Sequence, residues 1–194
     1  MAETNPSHDA ADVAKRVSAK LVAGGCDYAI GGAIALGYWA EPRGTIDVDF
    51  TLFIPPEKPG ECVWLLQELG CELNTSDALR SLNEHGFCRV SYAGLRVDVF
   101  LPTVPFYEDA RKRRQLVDLG GQEILIWDAE TLVVFKMMFF RRKDIVDVEQ
   151  ILRIQGASLD CIWIRERLAE IYGKRDPRIS QWDDLVAERD AVSD

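Results

Sequence analysis

Two aspartates one residue apart, Asp47 and Asp49 in the run Arg-Gly-Thr-Ile-Asp-Val-Asp-Phe, carry the clearest chemical signal in the chain. Side chains alternate along a strand, so both carboxylates share one face while Ile46, Val48 and Phe50 take the other. Adjacent carboxylates repel one another and lose hydration when buried. A divalent cation relieves both costs. Hard oxygen ligands with apolar neighbours suit Mg²⁺, or Mn²⁺, held by one or two carboxylates together with substrate phosphates. An exposed acidic edge would show the same triplet.

Upstream stands Gly31-Gly32, between a short apolar strand at 27–30 and a helix at 33–39. Glycine permits a sharp turn and close approach of a ligand to the backbone. The helix that follows presents unpaired amide donors and the positive end of its dipole, a natural seat for a phosphate. Donors for phosphate beside acids for a metal imply a nucleoside triphosphate (NTP) bound with magnesium.

Taken together, Gly31-Gly32 and Arg43-x-Thr45-x-Asp47-x-Asp49 resemble the nucleotidyltransferase superfamily of the DNA polymerase β type, most of all its small bacterial branch of AbiEii-type abortive-infection toxins. The spacing is slightly longer than the usual pattern, and Gly32 stands where many members have serine, which removes a hydroxyl donor to the phosphates. The resemblance implies a third carboxylate on a neighbouring strand, which falls on Asp98 in Arg-Val-Asp-Val-Phe. A lone acid on a strand more often faces solvent. The resemblance also implies a lysine in the first helix after the sheet that contacts the triphosphate. Lys136, in Leu-Val-Val-Phe-Lys-Met-Met-Phe-Phe, fits that place. An ammonium in so apolar a helix needs a partner, or a route to water at the helix edge.

The elements that must position these residues follow from pattern. Apolar residues at helical spacing mark a helix at 10–23, stopped by Gly24-Gly25. Pro55-Pro56 ends the acid-bearing strand, a helix at 61–69 stops at Gly70, and residues 71–73 read as a short strand. Asp77 is the expected cap of a helix at 78–85, closed by Gly86. Residues 87–101 read as a hairpin turning at Ala93-Gly94. A short helix at 106–114 and a second hairpin, 115–119 with 122–127 across Gly120-Gly121, follow. Beyond that the chain is helical: 129–141 capped by Asp128, then 143–154, 159–172 and 179–191. The expected fold class is α+β: a mixed β-sheet nucleotidyltransferase core over residues 1–127, with flanking helices, and a helical C-terminal part, 128–194, packed on it.

The 194 residues carry a net charge of −9, with 47% hydrophobic residues. That composition supplies a core, contains no run long enough to span a bilayer, and argues against a general nucleic-acid coat. The first eleven residues lack the apolar stretch of a secretory signal. Five scattered cysteines, with His8 and His85, form no zinc pattern and read as reduced, mostly buried thiols. A cytoplasmic protein without membrane partners is expected.

Other residues are ambiguous. Arg43 either touches a phosphate, fixes a carboxylate through a bidentate pair, or holds the connector before the acid-bearing strand. Thr45 precedes the acid pair in the same pattern. Asp144 and Asp147, three apart, are expected to pair with nearby bases and lock two helices. The basic run Arg111–Arg114 reads as a solvated face, or as a patch steering a polyanion to the cleft. Trp39, Trp127, Trp163 and Trp182 read as packing residues.

On this reading the expected activity is metal-dependent transfer of a nucleoside monophosphate from an NTP to an acceptor hydroxyl on RNA, protein or a small molecule. Three classes stay open: a toxin-type enzyme with a possible antitoxin partner, an antibiotic-modifying enzyme, and a non-catalytic nucleotide- or partner-binding domain.

Overall fold

The computed structural model describes residues 9–193. The expected loose end, Met1 to about Asp9, lies outside the described residues up to His8, while Asp9 caps the first helix, its side chain accepting from the Asp12 amide at 2.8 Å. Helix α1 (Ala10–Ala23) leads into β1 (Tyr28–Ile30), α2 (Gly32–Trp39) and β2 (Asp47–Leu52). Helices α3 (Pro59–Glu68) and α4 (Thr75–His85) precede the hairpin β3 (Phe87–Tyr92) and β4 (Leu95–Phe100). Then come α5 (Phe106–Arg113), the hairpin β5 (Gln115–Asp118) and β6 (Glu123–Ile126), and four helices. These are α6 (Ala129–Phe139), α7 (Arg142–Gln155), α8 (Cys161–Tyr172) and α9 (Pro177–Ser193).

The six strands form one sheet in the order β3-β4-β2-β1-β6-β5. β2 runs parallel to β4 and β1 to β6, while the other neighbours are antiparallel. The sheet is therefore mixed, and with its helices the fold is α+β. Alternation explains its two faces. Val48, Phe50 and Leu52 of β2, Val97 and Val99 of β4, and Cys88, Val90 and Tyr92 of β3 are buried on one side, against which α1 and α4 pack. The same strands send Asp47, Asp49, Arg96, Asp98 and Arg89 to the opposite side.

Local departures have local causes. Residues 71–73 form no strand, only a bridge between Glu72 and Ser91. Helix α4 starts earlier than expected because the Asn74 side chain, not Asp77, caps it, accepting from the Asp77 amide at 3.0 Å. Ile46 is 76% exposed rather than core-facing, because it precedes the first paired residue of β2. Helix α6 stops at Phe139. Phe140 turns left-handed at φ 55°, and the Asp144 carboxylate then caps the start of α7, accepting from the Arg141 amide at 3.2 Å and from its guanidinium. The result is a tight α6–α7 hairpin that faces Lys136 toward Asp147. The five cysteines are free, and burial pushes the thiols of Cys62 and Cys88 up to about 12. No helix among the described residues is long and apolar enough to cross a membrane.

Candidate active site

The candidate site is a grid on the polar face of three strands. Strand register places Asp47 opposite Arg96, and Asp49 opposite Asp98. Arg89 of β3 is in turn opposite Asp98, and Phe87 is opposite Phe100 beside Thr51. The rows therefore read Asp47–Arg96, Asp49–Asp98–Arg89 and Thr51–Phe100–Phe87. Together with Gly31, Gly32 and the inner face of α6 they line a cleft of about 730 Å³, a volume in the range of ligand sites.

The Gly-Gly turn abuts this grid. The Gly31 amide donates to the Asp49 carbonyl at 2.9 Å, so the end of β1 is stitched to the middle acid of β2. Gly32 has φ +57°, and a Cβ there would overlap Asp49 Oδ2. Both facts require glycine: one is a left-handed backbone, the other a carboxylate lying against the bare Cα. A Cβ on Gly31 would stand 3.2 Å from Trp127 Cδ1, a tighter fit than most but a milder one. Trp127 is thus both a core residue, as expected, and the floor under the turn. Helix α2 then begins at Gly32 with its first amides beside the acids.

The carboxylates differ in their surroundings. The Thr45 hydroxyl donates to Asp47 Oδ1 at 2.5 Å, and Arg96 Nη2 contacts Asp47 Oδ2. Arg89 grips Asp98 with two bonds, Nε to Oδ1 at 2.8 Å and Nη2 to Oδ2 at 3.1 Å. Asp49 has no hydrogen-bond donor among the described residues. Burial, and then the charge of Asp98, push its carboxyl up to about 6, against a smaller opposing pull from Lys136, Lys143 and Arg141. A like-charged neighbour and lost hydration both disfavour its ionised form.

Three carboxylates on adjacent positions of one face have the donor chemistry of a hard divalent cation. In the observed rotamers two of them turn toward arginines. Among the described residues, no group of three or more His, Cys, Asp or Glu side chains is gathered closely enough to hold an ion. Of the three, Asp49 is the one without an ion-pair partner within 4 Å among the described residues.

Lys136 and Arg43 line the same cleft but are already engaged. Lys136 is buried, with Nζ 2.6 Å from Asp147 Oδ2. Arg43 meets both oxygens of Asp147 at 3.1 and 3.0 Å. Of the roles open to Arg43, the fixing of a carboxylate is the one seen, and the carboxylate is on α7. Asp147 ties α6, α7 and the connector before β2 into one unit. Asp144 instead caps its own helix through Arg141.

The basic run on α5 is not simply a solvated face, because its three arginines are engaged in ion pairs. Arg111 and Arg114 converge on Asp27, at the mouth of β1, and Arg114 also donates to the Tyr28 carbonyl at 2.6 Å. Arg113 pairs with Asp128 at 2.7 Å and Glu130 at 3.0 Å, and lies over the Trp163 ring. Only Lys112 is left largely in water. The arginines serve as cross-links because the C-terminal end of α5 lies within reach of Asp27 and the start of β1.

Arg89 and Arg96 are the site residues that the sequence reading passed over. Arg89 was within reach: a two-residue turn at Ala93-Gly94 fixes the β3–β4 register and so sets it opposite Asp98. Arg96 meets Asp47 only through the parallel pairing of β2 and β4, strands far apart in sequence.

No family model matches the chain, and no curated protein matches it in sequence. Solved structures do. The antibiotic-resistance factor ANT(2'')-Ia, determined in solution, aligns over 92% of this chain and 89% of its own at 13% identity and a TM-score of 0.52. ANT(2")-Ia in complex with adenylyl-2"-tobramycin covers 84% of this chain and 98% of its own, at 14% identity and a TM-score of 0.57. An antigenic nucleotidyltransferase-like protein from Paracoccidioides brasiliensis covers 96% and 91%, at 20% identity and a TM-score of 0.55. The chain has the fold of these proteins.

Proposed function

We propose that a chain with this fold and this cleft is a metal-dependent nucleotidyltransferase, moving a nucleoside monophosphate from an NTP to an acceptor hydroxyl. The observation that supports it most is the abutment of Gly32 on Asp49, with Asp98 directly opposite: a backbone phosphate seat and a carboxylate pair meet at one point. In this reading the Gly31-Gly32 turn seats the β- and γ-phosphates on the first amides of α2, from Gly32 onward, since the Gly31 amide is spent on the Asp49 carbonyl. Asp47, Asp49 and Asp98 would hold Mg²⁺ or Mn²⁺, which when bound neutralises charge on the phosphates and on the leaving pyrophosphate. Thr45 orients Asp47. Asp98, on the far side of the grid from the glycines, aims the acceptor hydroxyl and takes its proton. The acceptor oxygen bonds to the α-phosphorus as the bond from that phosphorus to the bridging oxygen breaks. Lys136 and Arg43, fixed by Asp147, lend positive charge to the phosphate side.

The acceptor is proposed by class. RNA or a protein, with the chain acting as a toxin checked by an antitoxin in the cytoplasm, is one class. An antibiotic is the other, prompted by the adenylylated tobramycin that ANT(2")-Ia holds. Most of the bases that line the cleft are paired, Arg43 and Lys136 with Asp147, Arg89 with Asp98, Arg96 with Asp47 and Arg141 with Asp144, so its charge favours neither class. The reading is tested by release of labelled pyrophosphate from each NTP with Mg²⁺, alone and with cell RNA, cell protein or tobramycin. Release stimulated by RNA or protein supports the first class, and release with tobramycin the second. Tight NTP binding without release under any condition leaves a non-catalytic binding domain.

A further inference from the structure

The charges on the grid do not cancel evenly. Arg89 satisfies both oxygens of Asp98, whereas Arg96 is held at one point. Its Nη2 rests on Asp47 Oδ2, while its buried Nε makes no hydrogen bond and sits 3.7 Å from Asp98 Oδ1. A guanidinium with an unused inward donor is incompletely satisfied. It lines the same cleft as Gly31 and Gly32 and is about a third exposed. It also covers the Asp47 oxygen that a cation would need, because cation and guanidinium compete for one lone-pair site.

Resting on the nucleotidyltransferase reading above, we propose that Arg96 is a phosphate-binding residue parked on Asp47, which it leaves when a divalent cation and a triphosphate enter together. The resting pair lets Asp47 and Asp98 lie side by side without an ion. A cation arriving alone must evict the guanidinium into the cleft with no new partner. A cation arriving with a triphosphate offers that guanidinium a phosphate, which its planar fork binds well. Cation and triphosphate therefore favour one another's binding, a coupling carried by one side chain. Arg89, satisfied at both ends, stays with Asp98.

The test is binding, not turnover. Mn²⁺ is titrated into the full chain and followed by electron paramagnetic resonance, without and with inorganic tripolyphosphate. Tripolyphosphate binding is also measured in EDTA. Wild type should bind Mn²⁺ several-fold more tightly when tripolyphosphate is present. Arg96→Gln should bind Mn²⁺ alone about 5-fold or more tighter than wild type, bind tripolyphosphate in EDTA much as wild type does, because Arg96 then stays on Asp47, and lose most of the coupling. Arg96→Lys, which keeps the charge without the fork, should fall between them and serves if the glutamine variant does not fold. A residue with a merely structural role would lower both affinities together, and that result overturns the proposal. So do unchanged affinities in a wild type that binds both ligands, which would leave the nucleotidyltransferase reading standing. Failure of wild type and both variants to bind Mn²⁺ under any condition overturns the proposal and the metal reading at once.

Discussion

Lys136 Nζ and Asp147 Oδ2 lie 2.6 Å apart inside the protein, each side chain nearly closed to solvent. Burial pushes the Asp147 carboxyl up, but hydrogen bonds from Arg43 and Lys136 outweigh it and hold it below the usual carboxylate range. Removing one partner of such a pair leaves a buried charge uncompensated. Asp147→Ala should therefore cost about 3–5 kcal/mol, read as a drop in the urea midpoint. Lys136→Met combined with Asp147→Leu should recover most of that stability, yet not nucleotide binding. A depressed carboxylate pKa also has a direction in pH. The stability it contributes is present above the ordinary carboxylate range and is lost as pH falls through the lowered value. The urea stability of Asp147→Asn, already lower, should then fall less than that of wild type as pH drops through that range.

Asp49 has the opposite sign. Its carboxyl titrates near 6 in the folded chain and near the ordinary 3.8 when unfolded. Between these values the folded protein keeps a proton that the unfolded chain has released. Metal-free stability should fall as pH rises through that window and level off above it. The penalty at pH 7 is about 2–3 kcal/mol, from the shift in pKa. Asp49→Asn should be more stable than wild type at pH 7.5 in EDTA, with a flatter profile from pH 4.5 to 7.5. It should also lose cation binding. Urea unfolding across that range checks the first claim.

Gly32→Ala meets two obstacles, a positive φ and the Asp49 oxygen. The expected cost is about 1–3 kcal/mol from backbone strain together with displacement of the carboxylate. Triphosphate binding should be abolished. Gly31→Ala meets only the Trp127 edge, so it should keep much of its stability and show altered indole fluorescence.

Arg114→Ala removes bonds to the Asp27 carboxylate and the Tyr28 carbonyl and should cost about 1.5–3 kcal/mol. Lys112→Ala should change stability by less than about 0.5 kcal/mol. If the basic run steered substrate, Lys112→Ala would instead flatten the salt dependence of nucleotide association, which stopped-flow mixing would detect.

Much of the architecture was written locally. Helix α1 matches its expected span, the Ala93-Gly94 hairpin turns where the pattern puts it, and Asp128 and Gly86 bound their helices as read. One helix start moved through side-chain competition at a single turn, where Asn74 takes the cap from Asp77. Asp47 and Asp49 share a face for a reason internal to one strand.

The sequence by itself determined the α+β class, the acid-bearing strand and the glycine turn, because strand alternation, capping and left-handed glycine are properties of a few consecutive residues. Only the tertiary structure decided which charges meet. Lys136 answers to Asp147, Arg96 to Asp47, and Arg111 and Arg114 to Asp27. Coulombic partnership depends on distance through space. The α6–α7 hairpin sets the first of those distances; the parallel pairing of β2 with β4 and the approach of the α5 arginines to Asp27 set the others, and both join segments that are far apart along the chain.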